Sequence, residues 1–137
     1  MGQRRKARES AFQLLYSREQ SGKSFAEVSE EIADVPGLEE NGRKFAGELL
    51  ALTVGNIEQI DRLIQECSLN WNISRILPTD RNIMRIAVNE LINRTAPPAV
   101  VINEAIEISK KFGTSASGNF VNGILDCVRK KLQTSDA

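Results

Sequence analysis

Apolar residues recur along this chain at three- and four-residue spacing almost throughout, and no stretch alternates long enough to suggest a strand. Ala7, Ala11, Leu14 and Leu15 form the stripe of a first helix over about 4–20, with Gly22 as its stop. Ser24 and Glu27 have capping-box spacing and open a second helix through Phe25, Val28 and Ile32, ended by Pro36-Gly37. A third helix uses Phe45, Leu49 and Leu52. Gly55 marks either a break or a close helix contact before Ile57, Ile60, Ile64 and Cys67 resume the period. Thr79 or Asp80 opens the next helix, along Ile83, Met84, Ala87, Val88 and Leu91. Pro98 suits the first turn of another that Gly113 closes. The last helix runs through Val121, Ile124, Leu125, Val128 and Leu132. The pattern predicts an all-α, compact bundle of six or seven helices. Its subdomains, about 1–55 and 56–137, are expected to share a core.

The length of 137 residues fits one domain large enough to fold without a metal or disulfide staple. Eighteen Lys plus Arg balance eighteen Asp plus Glu, which points to a local charged patch on a neutral body. The opening Arg4-Arg5-Lys6-Ala7-Arg8 is basic, whereas Glu27 to Glu40 is an acidic segment. With no histidine, the commonest general base and zinc ligand are missing. Phosphate-cradling glycine loops are absent, and no carboxylate pair sits in an apolar stretch suited to acid–base work. No enzymatic activity, cofactor or metal is expected. Cys67 and Cys127 lie far apart among apolar helical positions and are expected to be reduced, buried thiols of a cytoplasmic protein. No apolar run approaches a membrane span or a secretory signal.

The basic opening is a polar terminal arm free to fold onto a partner, a footprint for a phosphate backbone or merely a solvated aid to solubility. Phe120, between Asn119 and Asn122 at the start of the last helix, suits either the core or a platform for an unpaired base. Tyr16 reads as a half-buried ring with a wet hydroxyl or as a base contact. Arg81 and Arg85 lie one turn apart and should repel mildly unless an anion covers them; they read as a solvated pair or as a seat for RNA phosphate or a partner's carboxylate. Trp71 reads as a core anchor. Asn103 and Glu104 read as caps or buried ties to a neighbouring loop, and Gly123 as a close helix approach.

Three blocks in order carry a specific resemblance: Arg4-Arg5-Lys6-Ala7-Arg8-Glu9 with Leu14-Leu15-Tyr16; Trp71 to Arg75 with Asp80 to Ala87 and Glu90-Leu91; and Ile102-Asn103-Glu104-Ala105 with Phe120-Val121-Asn122-Gly123. Together they resemble the NusB family of bacterial transcription antitermination factors. The resemblance implies a non-enzymatic, all-helical protein that binds boxA-like single-stranded RNA of ribosomal RNA leaders. It also implies the small-subunit ribosomal protein NusE as partner, within the RNA polymerase antitermination complex. RNA-binding residues would be Arg4, Arg5, Lys6, Arg8, Tyr16, Arg81, Arg85 and Phe120; the partner surface would include Arg75, Leu77 and Asp80. Two positions depart from the family pattern: Asn119 replaces a frequent basic residue, and Asn89 stands where many relatives have an aromatic. Alternatives are an accessory RNA-binding domain of a ribosomal RNA methyltransferase system and a pure protein-interaction bundle. With no cofactor-binding half in the chain, a standalone role is expected. Monomer and homodimer both stay open.

Overall fold

The computed structural model describes residues 2–135. Among them are seven α-helices, two short 3-10 turns and no strand: α1 (Gln3–Ser21), α2 (Phe25–Glu31), α3 (Glu40–Gly55), α4 (Ile57–Cys67), α5 (Pro78–Asn93), α6 (Pro98–Phe112) and α7 (Ser117–Ser135). The backbone divides into two compact units between Gly55 and Asn56. A Cβ on Gly55 would meet nothing, so this glycine marks the break and not a close contact.

In the first unit α1 packs on α3 and α2, burying Ala7, Ala11, Phe12, Leu14 and Leu15. Gly22 ends α1 in the left-handed conformation, φ 74°, where a Cβ would be strained. The capping box forms: Ser24 Oγ accepts from Glu27 N–H at 3.2 Å, and Glu27 Oε1 accepts from Ser24 N–H at 3.1 Å. Those bonds favour the charged form, first through the Ser24 backbone N–H, and hold the Glu27 carboxyl below its usual range. The buried stripe of α3 is Gly42, Ala46, Leu49, Leu50 and Thr53, rotated from the expected one. Phe45 therefore lies at its edge, half-buried, and Leu52 is exposed.

In the second unit α5 packs on α4, α6 and α7. It is buried nearly all round, from Asp80 to Leu91 with Arg85 alone part-exposed. It begins at Pro78, ahead of the expected Thr79 or Asp80, because proline fits a first helical turn that needs no N–H donor. Gly113 closes α6 for want of space: a Cβ there would run into Ser117 and the Ser109 carbonyl. The expectation of two reduced thiols is corrected. Cys67, the last residue of α4, and Cys127 in α7 are joined in a disulfide, with Cα atoms 5.9 Å apart. One is a helix end and the other mid-helix, sixty residues apart, so no Cys-x-x-Cys spacing announces the pair.

Candidate nucleic-acid interface

The basic opening is not a free arm. It forms the first two turns of α1 and is fastened to the loop before α3. Gln3 Nε2 donates to Gly37 O at 3.1 Å, and its Oε1 accepts from Glu39 N–H at 2.7 Å. The first turn of α1 holds no acidic residue and its N-cap, Gly2, supplies no side-chain bond. Cations here oppose the positive pole of the helix dipole, at about 0.3–1 kcal/mol each. Arg4, Arg5 and Lys6 share this turn, a position where helix geometry favours an anion.

The cations differ in setting. Arg4 is exposed, and its guanidinium lies over the Phe45 ring at 4.1 Å from the centroid. Arg8 shares that ring at 5.4 Å but is only 5% exposed, so it belongs to the scaffold as much as to any surface. Arg5 and Lys6 are part-exposed. Farther along the same slowly turning row, Phe12 and Tyr16 pair at 6.4 Å between centroids, with Tyr16 36% exposed. Arg4, Arg8 and Tyr16 thus line one strip of α1, with Phe45 of α3 beneath its start. Phe45 keeps the helical spacing of an α3 core residue, and nothing local in the sequence signals its place beside these cations.

The residues expected in the second unit are dispersed between surface and interior. Arg75 is exposed and Leu77 is half-exposed. Asp80 is 4% exposed, which corrects its placement on a partner-binding surface. Burial pushes its carboxyl above the usual range, partly countered by a hydrogen bond from Ser117, and Oδ1 has no hydrogen-bonding partner.

Arg81 donates through Nη1 to Ile73 O at 3.2 Å and Ile76 O at 2.8 Å, latching the connection between α4 and α5. Arg85 forms a two-pronged pair with Asp61, Nε to Oδ1 and Nη2 to Oδ2, both at 2.8 Å, and donates to Asn82 Oδ1 at 3.1 Å. The anion expected over these arginines therefore comes, for Arg85, from α4 of the same chain. Trp71 is 56% exposed, correcting the core-anchor expectation; it shares the α4–α5 connection with Leu69, 90% exposed. Gln65 holds that connection, donating to Trp71 O at 3.0 Å and accepting from Ile73 N–H at 2.8 Å.

Phe120 stands half-buried in the first turn of α7, with Asn119 and Asn122 exposed and Val121 fully buried. Ser117 Oγ accepts from Thr114 N–H at 2.9 Å, fixing where α7 starts. A Cβ on Gly123 would meet nothing, so no close helix approach depends on it. Asn103 is exposed and is not a buried tie. Asn89 is fully buried; its Oδ1 accepts from Asn93 Nδ2 at 2.9 Å, while its own Nδ2 has no partner. Among the described residues no cluster of three or more His, Cys, Asp or Glu could hold a metal ion, and no helix is long and apolar enough to cross a membrane.

These features define an all-helical binding protein with a basic, aromatic-backed strip on its first helix. Residues 5–130 match the NusB family, and the chain belongs to it. NusB proteins are non-enzymatic transcription antitermination factors. A transcription antitermination protein NusB from Geotalea daltonii is 46% identical over 141 aligned positions, covering 96% of this chain and 97% of the relative. The solved NusB of T. maritima superposes with a TM-score of 0.84 at 32% identity, covering 93% of this chain and 91% of that one. A solved complex of antitermination factors NusB and NusE with double-stranded RNA superposes with a TM-score of 0.82 at 30% identity, covering 96% and 98%.

Proposed function

We propose that this protein is a cytoplasmic antitermination factor that binds boxA-like single-stranded RNA of ribosomal RNA leaders together with NusE, the whole chain acting as one RNA-binding domain. The observation that carries the reading is the set of cations in the opening turns of α1, held on an ordered scaffold against the helix dipole. Arg4, Arg5 and Lys6 contact phosphate, Tyr16 and Phe120 contact bases, and Arg8 supports Arg4 through Phe45. Arg81 and Arg85 keep the scaffold in place. The partner surface takes in Arg75 and Leu77 with the neighbouring Trp71 and Leu69, while Asp80 supports it from within. Joining two modest surfaces in one heterodimer raises affinity through effective concentration, and the assembly then acts on RNA polymerase.

The test is binding of a boxA strand, a scrambled strand and an RNA duplex, with and without NusE, over a salt series. Preferential tightening on the boxA strand by NusE is expected. With three phosphate contacts the log–log salt slope should be about −2, falling by about 0.7 in Arg5→Ala. Equal enhancement on all three RNAs would refute the specific complex, and an unchanged slope would refute the phosphate role of Arg5.

A further inference from the structure

Between the first turn of α1 and the N-terminal half of α3 lies a groove of about 400 Å³, lined by Gln3, Arg4, Asn41, Lys44, Phe45 and Glu48. Two of these residues already meet, with the Arg4 guanidinium carbon over the Phe45 ring at 4.1 Å from its centre. Phe45 covers one face of that planar cation, and Arg4 as a residue is exposed. A guanidinium backed by a ring is restrained and partly dehydrated on one side, which prepares the opposite side for another flat, polarisable group. The neighbouring Gln3 cannot swing into the space, since both ends of its amide are engaged at Gly37 and Glu39.

The charges select what enters. Arg4 and Lys44 attract a phosphodiester chain, yet Glu48 on the same wall repels a phosphate inside the groove. A neutral base with its phosphates outside satisfies both. Glu48 is acceptor-only and Asn41 can donate or accept, so a base that offers N–H donors fits this edge. We propose that this groove seats one unpaired base of the bound RNA, stacked on the Arg4–Phe45 pair, so that Arg4 reads a base plane as well as a phosphate. The proposal rests on the RNA-binding reading above and deepens it.

Arg4→Lys is the discriminating variant, because it keeps the charge and loses the plane. The full chain is titrated with single-stranded boxA RNA carrying 2-aminopurine at successive positions, reading anisotropy for affinity and fluorescence for stacking. Quenching at one position is expected with the wild type. Arg4→Lys should abolish it and weaken binding about fivefold or more, with the salt slope unchanged. Phe45→Leu should do the same, checked well below its own melting temperature. Wild-type affinity and quenching in Arg4→Lys would overturn the base seat and leave RNA binding standing. Failure of the wild type to bind the strand at all would overturn both readings.

Discussion

The hydroxyl of Ser117, the first residue of α7, faces the carboxyl of Asp80 in the first turn of α5 and offsets part of the cost of burying it. The contact links the end of the α4–α5 connection to the turn that presents Phe120. Asp80 is therefore an interior group at the meeting of two helix starts.

Burial raises the Asp80 carboxyl in the folded protein above its unfolded value, so the native state binds the extra proton. Stability attributable to this group falls as pH rises from the ordinary aspartate range through the raised value. The penalty is then fully present at neutral pH and relieved in acid. Asp80→Asn keeps an acceptor for Ser117 and removes the buried charge. It is expected to stabilise the protein at pH 7 by on the order of 1 kcal/mol, less near pH 4, in urea unfolding. A loss of stability at pH 7 would show that the charge is compensated.

Arg85 and Asp61 should behave as a structural pair. Their side chains are 12% and 28% exposed, so the pair is only partly screened. Arg85→Ala should cost about 2–3 kcal/mol, below the range for a fully buried pair broken on one side. A double-mutant cycle with Asp61→Ala should recover part of that loss. RNA affinity measured well below the melting temperature should stay near wild type. A large affinity loss in a fully folded Arg85→Ala protein would return the arginine to the RNA surface.

Local signals made much of the backbone legible. The Ser24–Glu27 box, Gly22 as a stop and Pro98 as a start each act within a few residues, and all three appear where the spacing places them. The α3 face was misjudged because Phe45, Leu49 and Leu52 also keep helical spacing; only tertiary packing selects Ala46, Leu49, Leu50 and Thr53 instead. Partnerships distant in sequence were not legible. Arg85 meets Asp61 across 24 positions, Cys67 meets Cys127 across sixty, and Asp80 faces Ser117 of α7. Trp71 misled for a related reason: a large aromatic is usually buried, but here the Gln65 bonds hold its backbone while its ring stays outside.

Reduction of Cys67–Cys127 opens a link between residues sixty positions apart. Chain-entropy reasoning assigns such a loop about 4 kcal/mol. Urea unfolding with and without a thiol reductant should differ by that amount for the wild type and not at all for Cys127→Ser. Identical wild-type curves, with full reduction verified by thiol labelling, would show that the helices α4 and α7 hold without the bond.

Phe120 separates stacking from packing most sharply. The ring is half-buried at the start of α7, its backbone N–H bonded to Ala116 O at 3.2 Å, next to the fully buried Val121. Phe120→Leu keeps much of the apolar bulk and removes the aromatic face. If the ring stacks on a base, RNA affinity should fall by about 1 kcal/mol, the lower end of the range for base–aromatic stacking. That loss should be nearly independent of salt, whereas Arg5→Ala should lose affinity mainly at low ionic strength. The two variants can therefore be told apart on one titration series. A Phe120→Leu protein that melts early yet binds boxA RNA normally would assign the ring to packing alone.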